Sequence, residues 1–281
     1  MNKLLKVTNL SVFMGGTKAA IVRDVSFSMH KGQSLIILGQ SGSGKTMTCK
    51  AILGILGRPF QATGSIDFSG VNLIKLTGRR RRSVYGSQIA LIAQNPMTAF
   101  NPSARVGKQM EETLRIHTGL PHKQAKEKCL CALEQAGLVN GSTVFESYPH
   151  MLSGGMLQRV MIAMTLMTDA RLVVADEPTT ALDVAHRKEA VDSFIRLRER
   201  GTAILLVTHD LAVAARLGGH LLIMKDGEIV ERGELAAVLA SPRHPYTKTL
   251  ISAARLSDEH LIRSESYAGG QRAEKDVSCF G

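Results

Sequence analysis

One glycine-rich segment of the sequence has the composition of a phosphate-binding turn. It follows the apolar run Leu35–Leu38, which predicts a buried strand, and it has the spacing G-x-x-x-x-G-K-T. Its residues are Gly39, Gln40, Ser41, Gly42, Ser43, Gly44, Lys45 and Thr46. Glycines allow a tight turn that brings backbone N–H groups close to an anion, and the helix expected next adds the positive end of its dipole. In this pattern the lysine can reach the β- and γ-phosphates and the threonine hydroxyl can ligate Mg²⁺, which predicts a nucleoside triphosphate site.

Two later predicted strands end in residues that could act on such a phosphate. Leu172–Ala175 predicts a buried strand with Asp176 and Glu177 directly after it, and Ala203–Val207 predicts another that is followed by His209. Ligands of open parallel sheets bind beyond the carboxyl ends of the strands. We therefore expect Asp176 to hold Mg²⁺ through water, Glu177 to polarise the attacking water and His209 to contact the γ-phosphate.

Two further features each allow two interpretations. Ser153 is a good N-cap for a helix that is predicted to continue through Met167, and Gly154 and Gly155 follow it. The start of this helix is either a second anion site or an ordinary capped terminus. Phe13 lies upstream of the glycine-rich turn, where its ring could either stack on an adenine or be buried in the core.

The overall composition restricts the class of protein. No segment approaches 18 uninterrupted apolar residues, which predicts no membrane span, and no sustained apolar region follows the N-terminal lysines, which argues against a signal peptide. Four cysteines without a disulfide-framework spacing indicate a reducing compartment. The formal charge of +11 suits a nucleic acid, an anionic membrane surface or an acidic partner, but the absence of Trp gives little support to base stacking.

The remaining pattern predicts the elements that position these residues. Further strands are predicted at Leu4–Leu10, Ile21–Met29, a pair within Gly64–Leu73, Ile89–Ala93 and a hairpin over Leu221–Val230 with a turn at Asp226 and Gly227. Further helices are predicted as two amphipathic stretches between Val106 and Ala136, one from Thr180 to about Arg200 and one within Thr247–Arg255. The segment after Ser266 is expected to be loose. A helical insertion between strand-rich halves therefore suggests a subdomain.

Taken together, these motifs resemble the ATP-binding subunit of ABC transporters, and the resemblance covers residues 4–255. The matching motifs, in the family's order, are Walker A at Gly39–Thr46, the Q-loop at Gln94, the signature at Leu152–Arg159, Walker B with its glutamate at Leu172–Glu177, the D-loop at Ala181–Asp183 and the switch histidine at His209. The signature departs mildly from the family in having Met156, where Gln is more frequent.

The resemblance implies a fold and its division. The fold is α/β, with a RecA-like P-loop core, an antiparallel β portion and an inserted α-helical subdomain. We expect the ATP-binding domain at residues 1–240, with the helical subdomain at about 97–157, and a C-terminal tail at 241–281.

The resemblance also implies how the site works. Two such subunits pair head to tail, and each ATP lies between Walker A of one and the signature of the other. Glu177 is the implied general base or water positioner, and His209 steadies the γ-phosphate. The implied Mg²⁺ ligands are Thr46, Gln94 and Asp176. The implied ATP-binding residues are Phe13, Gly39, Gln40, Ser41, Gly42, Ser43, Gly44, Lys45, Thr46, Gln94, Ser153, Gly154, Gly155 and Asp183.

Partners and location follow from the same resemblance. It implies a peripheral protein at the cytoplasmic face of the inner membrane that needs separate transmembrane permease subunits. A second, related but non-identical ATP-binding subunit is expected, and an extracytoplasmic substrate-binding protein is an indirect partner. No nucleic-acid partner is expected.

A finer resemblance concerns the cargo. Gln94–Pro96, Tyr148–His150 and Ser241–Thr247 look like the peptide/nickel importer branch, and Ile52–Leu56 resembles its nickel- or metallophore-import subunit. Peptide members often carry a longer, cysteine-containing extension, whereas this chain has only Cys279 there.

We therefore expect a translocase ATPase that energises uptake of nickel, a related transition metal or a metal chelate. An alternative keeps the mechanism but has di- or oligopeptides as cargo. A remote alternative is a soluble ABC ATPase that acts on nucleic acid or ribosomes.

Overall fold

The described part of the chain, residues 3–15 and 19–254 of a computed structural model, folds into two β-sheets and the helices that cover them. The strands are β1 (Leu5–Met14), β2 (Ala20–Met29), β3 (Ser34–Leu38), β4 (Phe60–Phe68), β5 (Val71–Asn72), β6 (Ile89–Ile92), β7 (Leu172–Asp176), β8 (Ala203–Thr208), β9 (His220–Lys225) and β10 (Glu228–Glu234). The helices are α1 (Lys45–Ile52), α2 (Gly78–Val84), α3 (Val106–Thr118), α4 (His122–Gln135), α5 (Gly141–Glu146), α6 (Gly154–Leu166), α7 (Val184–Glu199), α8 (Leu211–Leu217), α9 (Leu235–Ala240) and α10 (residues 245–254).

The larger sheet is the frame of the molecule. Its strand order is β10-β9-β3-β8-β7-β6, and every neighbouring pair from β9 to β6 is parallel. All residues of β3, β7 and β8 are buried, as expected for parallel strands that are covered on both faces. Leu38 pairs with Thr208, and Asp176 pairs with Val207. Because these pairs lie at the strand ends, the segments that follow β3, β7 and β8 emerge side by side at one edge.

The two faces of this sheet belong to different cores. Ile36 and Leu206 face a core shared with the helices α3–α8, whereas Ile37 and Val207 face a core shared with α1 and the smaller sheet. The smaller sheet is antiparallel, with the order β2-β1-β4-β5. The predicted α/β core and antiparallel portion are therefore confirmed.

A helical insertion separates β6 from β7. Its helices α3 to α5 pack around buried Met110 and Leu114, which confirms the predicted amphipathic pattern. Gly107 of α3 lies against the ring of Phe145 in α5, so the two helices approach closely at this point. The domain limits stay predictions.

Several predicted boundaries are wrong for identifiable reasons. The first strand continues past Leu10 to Met14 because β4 pairs with it as far as Phe60. The long helix predicted from Thr180 begins at Val184, since Asp183 is its N-cap and the preceding residues form a turn. The short helices α2, α8 and α9 were not predicted, because six or seven residues are too few to show a helical period. The tail after Ser266 lies outside the described residues.

The longest helices of the described ranges are not membrane segments. Within these ranges, no helix is both long enough and apolar enough to cross a bilayer.

The contact between α3 and α5 predicts a stability effect. In Gly107→Ala the new Cβ would overlap the Phe145 ring. We expect this overlap to cost about 2–3 kcal/mol, the upper part of the range for overpacking. After the roughly 1 kcal/mol that alanine gains over glycine in a helix, the free energy of unfolding should fall by about 1–2 kcal/mol. Urea unfolding measures this free energy. Gly57→Ala is the control, because a Cβ at this position meets no atom within 4 Å. Equal stability of the two variants would contradict the predicted packing.

Candidate functional site

The site lies at the edge where β3, β7 and β8 end. The P-loop, Gly39–Thr46, follows β3, and its last two residues begin α1. Asp176 is the last residue of β7, and His209 directly follows β8. Because the three strands are adjacent and in register, residues far apart in sequence meet here, as predicted.

The ammonium group of Lys45 is enclosed by the turn that carries it. Lys45 is only 6% exposed, and its Nζ donates to the carbonyl oxygens of Gly39 and Gln40 at 2.7 and 2.8 Å. Burial lowers the pKa of Lys45, while the nearby carboxylates of Glu177 and Asp176 act in the opposite direction. The backbone carbonyl oxygens of the turn thus accept the hydrogen bonds that keep a cation at its centre.

The backbone of the P-loop has the shape of an anion cradle. Gly42 and Gly44 have φ values of 84° and 99°, a region that favours glycine. A side chain at Gly39 would overlap the carbonyl oxygen of Met224 and lie 2.8 Å from Ser43 Oγ. Ser43 Oγ is itself buried and has no hydrogen-bond partner within the described ranges. An orphaned hydroxyl inside a glycine-lined turn fits a phosphate group.

Two residues that the resemblance implies as Mg²⁺ ligands, Thr46 and Asp176, lie in contact. The Thr46 hydroxyl donates to Asp176 Oδ1 at 3.2 Å. Burial raises the pKa of Asp176, the hydrogen bond from Thr46 opposes this rise, and Glu177 adds to it. Hydroxyl and carboxylate oxygens are the ligands that Mg²⁺ prefers, so these residues fit the ion. Gln94 is exposed two residues beyond β6 and makes no hydrogen bond to either residue.

Glu177 and His209 form a close pair. His209 Nδ1 lies 2.7 Å from Glu177 Oε2, and the Thr180 hydroxyl lies 3.4 Å from the same oxygen. Glu177 is 7% exposed and has φ 50°, a left-handed conformation that its N–H bond to the Val207 carbonyl helps to hold. A buried carboxylate that is oriented by two polar neighbours can act as a base or align a water.

The capped start of α6 lies beside the D-loop. Ser153 Oγ accepts from the Met156 N–H at 3.2 Å, as the N-cap prediction required. A Cβ on Gly155 would lie 3.1 Å from the Ala181 carbonyl oxygen, so the first turn of α6 touches the D-loop. Within the described ranges, no hydrogen bond joins Ser153, Gly154 or Gly155 to the P-loop of the same chain.

Asp183 of the D-loop caps α7. It accepts from the His186 N–H at 3.0 Å, and its other oxygen lies 2.7 Å from His186 Nδ1. These bonds lower the pKa of Asp183.

Phe13 is partly exposed in β1. Its Cα pairs with Ala20 in β2 and Gln61 in β4, and it belongs to neither hydrophobic core. Its ring is thus not a buried core group, and adenine stacking stays a prediction.

Two contacts at the site had no assigned role in the sequence. The Gly227 N–H donates to the Ser43 carbonyl oxygen at 3.0 Å, so the β9–β10 turn supports the P-loop. Arg187 donates to the Leu182 carbonyl oxygen at 3.0 Å and to Asp210 Oδ2 at 3.3 Å, so it joins the D-loop to the start of α8. The Asp226–Gly227 turn itself was predictable, but its partner lies 184 positions earlier (227 minus 43).

Comparison with known proteins gives a consistent family. A family profile described as "ABC transporter" matches residues 22–180. The chain is 37% identical over 259 residues to the metal-staphylopine import system ATP-binding protein CntD of Staphylococcus aureus, covering 92% of this chain and 96% of the relative. It is also 37% identical over 254 residues to the dipeptide transport ATP-binding protein DppD of Escherichia coli, covering 89% of this chain and 78% of that one.

A solved structure shares the fold. It is a dimeric ATP-binding cassette in a post-hydrolysis state, bound to ADP and Pi, with a TM-score of 0.74. The match covers 82% of this chain and 98% of that chain at 24% identity, which bears on the fold alone.

The raised pKa of Asp176 predicts that removing its charge stabilises the folded protein, and that the size of this gain depends on pH. The ionised carboxylate is disfavoured in the folded protein, so its cost is present above the raised folded-state pKa and disappears as the pH falls below the ordinary aspartate range. We expect Asp176→Asn to raise the Tm of the nucleotide-free protein at pH 7.5, on the order of 2 °C.

Thermal unfolding at pH 7.5 and at pH 4 tests this expectation. The gain should shrink at pH 4, and the exposed Asp169→Asn serves as the control. A lower Tm for Asp176→Asn at pH 7.5 would contradict the assignment of a desolvated carboxylate.

Proposed function

Because the chain belongs to the ABC transporter family, we propose that it is the ATP-hydrolysing subunit of a membrane importer for nickel, a related transition metal or a metal chelate. The observation that carries the ATPase part is the convergence of Lys45, Asp176 and Glu177 at one sheet edge, within reach of each other's charge. The cargo part is supported by sequence resemblance.

The site residues divide the work of phosphoryl transfer. We assign phosphate binding to the P-loop N–H groups and to Lys45, which exchanges its two carbonyl partners for phosphate oxygens. Thr46 and Asp176 would hold Mg²⁺, together with Gln94. The ion, when bound, neutralises charge on the phosphates.

Glu177 and His209 act on the far side of the γ-phosphate. The Glu177 carboxylate accepts a proton from the attacking water or aligns it, and its short contact with His209 keeps it oriented. His209 is 59% exposed, so its ring can also turn towards a bound γ-phosphate.

A second subunit completes the site. Ser153 is exposed and does not contact the P-loop of its own chain within the described ranges, so its capped helix start is free to face another subunit's ATP. Membership of the ABC transporter family, whose ATP-binding subunits pair head to tail, supports such an arrangement. We propose that the partner ATPase is related but not identical, and that both dock on transmembrane permease subunits at the cytoplasmic face of the membrane.

The identity of the cargo is the most specific part of the proposal. The metal-staphylopine relative and the dipeptide relative are equally identical at 37%, so identity alone does not choose between them. Ile52–Leu56 favours the metal branch by resemblance. Di- or oligopeptide import is the second candidate, and it is favoured by the dipeptide and oligopeptide relatives.

Hydrolysis by this chain depends on one carboxylate. We expect Glu177→Gln to lower kcat for ATP by about 10²- to 10⁴-fold while ATP binding persists, because the amide keeps the shape but cannot take a proton. Phosphate release and ATP binding are measured on the purified protein. The exposed Glu199→Gln, at the end of α7, is the control and should keep the wild-type rate. A Glu177→Gln protein with wild-type turnover would refute the assigned role.

Uptake in cells tests the cargo. Cells that carry Glu177→Gln in place of the wild-type chain are supplied in parallel with radiolabelled nickel, the same nickel with a chelator, and a labelled dipeptide. Loss of either nickel signal alone supports metal import, because the energy source of that route is removed. Loss of dipeptide uptake alone assigns the chain to peptide import. Unchanged uptake of all three would contradict the importer proposal, and cells with Glu199→Gln control for expression.

A further inference from the structure

The segment after α9 returns to the nucleotide edge of the sheet. Both oxygens of the Glu231 carboxylate accept backbone N–H groups from this segment, that of Arg243 at 2.8 Å and that of His244 at 3.0 Å. Thr247 at the start of α10 is fully buried. The segment 241–254, which we call the tail strap, is therefore anchored to β10 at its first turn.

The tail strap places an aromatic hydroxyl on the P-loop. Tyr246 Oη accepts a hydrogen bond from the Gln40 N–H at 3.0 Å, although the two residues are 206 positions apart. The Lys225 ammonium lies 5.3 Å from the centre of the Tyr246 ring, a cation–π contact that orients the ring from the end of β9. The Tyr246 N–H in turn donates to His244 Nδ1 at 3.1 Å, which ties the tyrosine to the anchored turn.

The peptide unit that joins Gly39 to Gln40 is thereby held at both ends. Its N–H, that of Gln40, is bonded to Tyr246, and its carbonyl oxygen, that of Gly39, accepts from Lys45 Nζ at 2.7 Å. Farther along the loop, the Ser43 carbonyl oxygen is held by the Gly227 N–H. These backbone groups are thus hydrogen-bonded within the protein itself, and a loop that is already ordered loses less conformational freedom on binding.

We propose that Tyr246 is a positioning residue for ATP, and that its hydroxyl holds the first turn of the P-loop in the conformation that receives the phosphates. The inference deepens the proposed function and rests on it. Tyr246 is assigned no contact with substrate or ion; it acts through the Gln40 N–H and, through the same peptide unit, on the Gly39 carbonyl oxygen that Lys45 must leave.

Tyr246→Phe isolates the hydroxyl from the ring. The phenyl ring keeps its packing and its contact with Lys225, while the Gln40 N–H loses its partner. We expect the Kd and KM for ATP to rise about 2- to 10-fold, the range that corresponds to one net hydrogen bond, with kcat at saturating ATP within about 2-fold of wild type. Hydrogen exchange of the Gln40 amide in the nucleotide-free protein should become faster.

The control lies in the same helix. Thr249 is exposed, and among the described residues its hydroxyl bonds only to the Pro245 carbonyl oxygen at 3.2 Å, so Thr249→Val perturbs α10 without changing a P-loop contact. Unchanged ATP affinity and unchanged Gln40 exchange in Tyr246→Phe would overturn the proposal. So would a loss of Tm with a fall in kcat at unchanged Kd, because that pattern indicates a merely structural contact. If the wild-type chain itself fails to bind ATP, the proposed function fails instead.

A double-mutant cycle tests whether the strap acts through the tyrosine. Glu231→Gln weakens the anchor of Arg243 and His244, so we expect it to raise the Kd for ATP in the same direction as Tyr246→Phe. The double variant should bind no more weakly than about the weaker single variant, because both changes remove one interaction. Fully additive effects would show that Glu231 and Tyr246 act independently. They would contradict the inference that the tail strap acts on the P-loop through Tyr246.

Discussion

A buried cation constrains the nucleotide edge of this protein. Removing an ammonium group from water is costly unless it is hydrogen-bonded, and Lys45 meets this cost with the carbonyl oxygens of Gly39 and Gln40. The turn must therefore wrap around its own lysine. Asp176 and Glu177 add negative charge nearby, so the site brings unlike charges close together.

The D-loop lies between the segment that follows Glu177 and the start of α6, the two parts of each subunit that are proposed to contribute to an ATP site. It begins a few residues after Glu177, touches the first turn of α6 at Gly155 and ends in Asp183, the cap of α7. Arg187 binds its Leu182 carbonyl and reaches the start of α8, next to the switch histidine. Short and contiguous contacts therefore connect the neighbourhood of Glu177 to the surface that is proposed to face a second subunit.

Much of the chemistry was readable from the sequence because its signals are local. The P-loop follows its strand directly, Asp176 and Glu177 follow theirs, and Ser153 caps the helix that begins beside it. Continuous apolar runs identified the parallel strands. Because ligands of such sheets bind beyond the carboxyl ends of the strands, the sequence alone predicted His209 at the same edge. The order of these motifs along the chain gave the resemblance to the ABC transporter family, and the family profile confirmed that family.

The sequence by itself determined which side chains are candidates for the chemistry, through spacing, strand ends and caps. Only the tertiary structure decided what holds them. The left-handed conformation of Glu177, the support of the P-loop by Gly227 and Tyr246, and the separation of Ser153 from its own P-loop all arise between segments far apart in the chain. No local pattern records such contacts, because the partner of each group is set by sheet order and register rather than by neighbours in sequence.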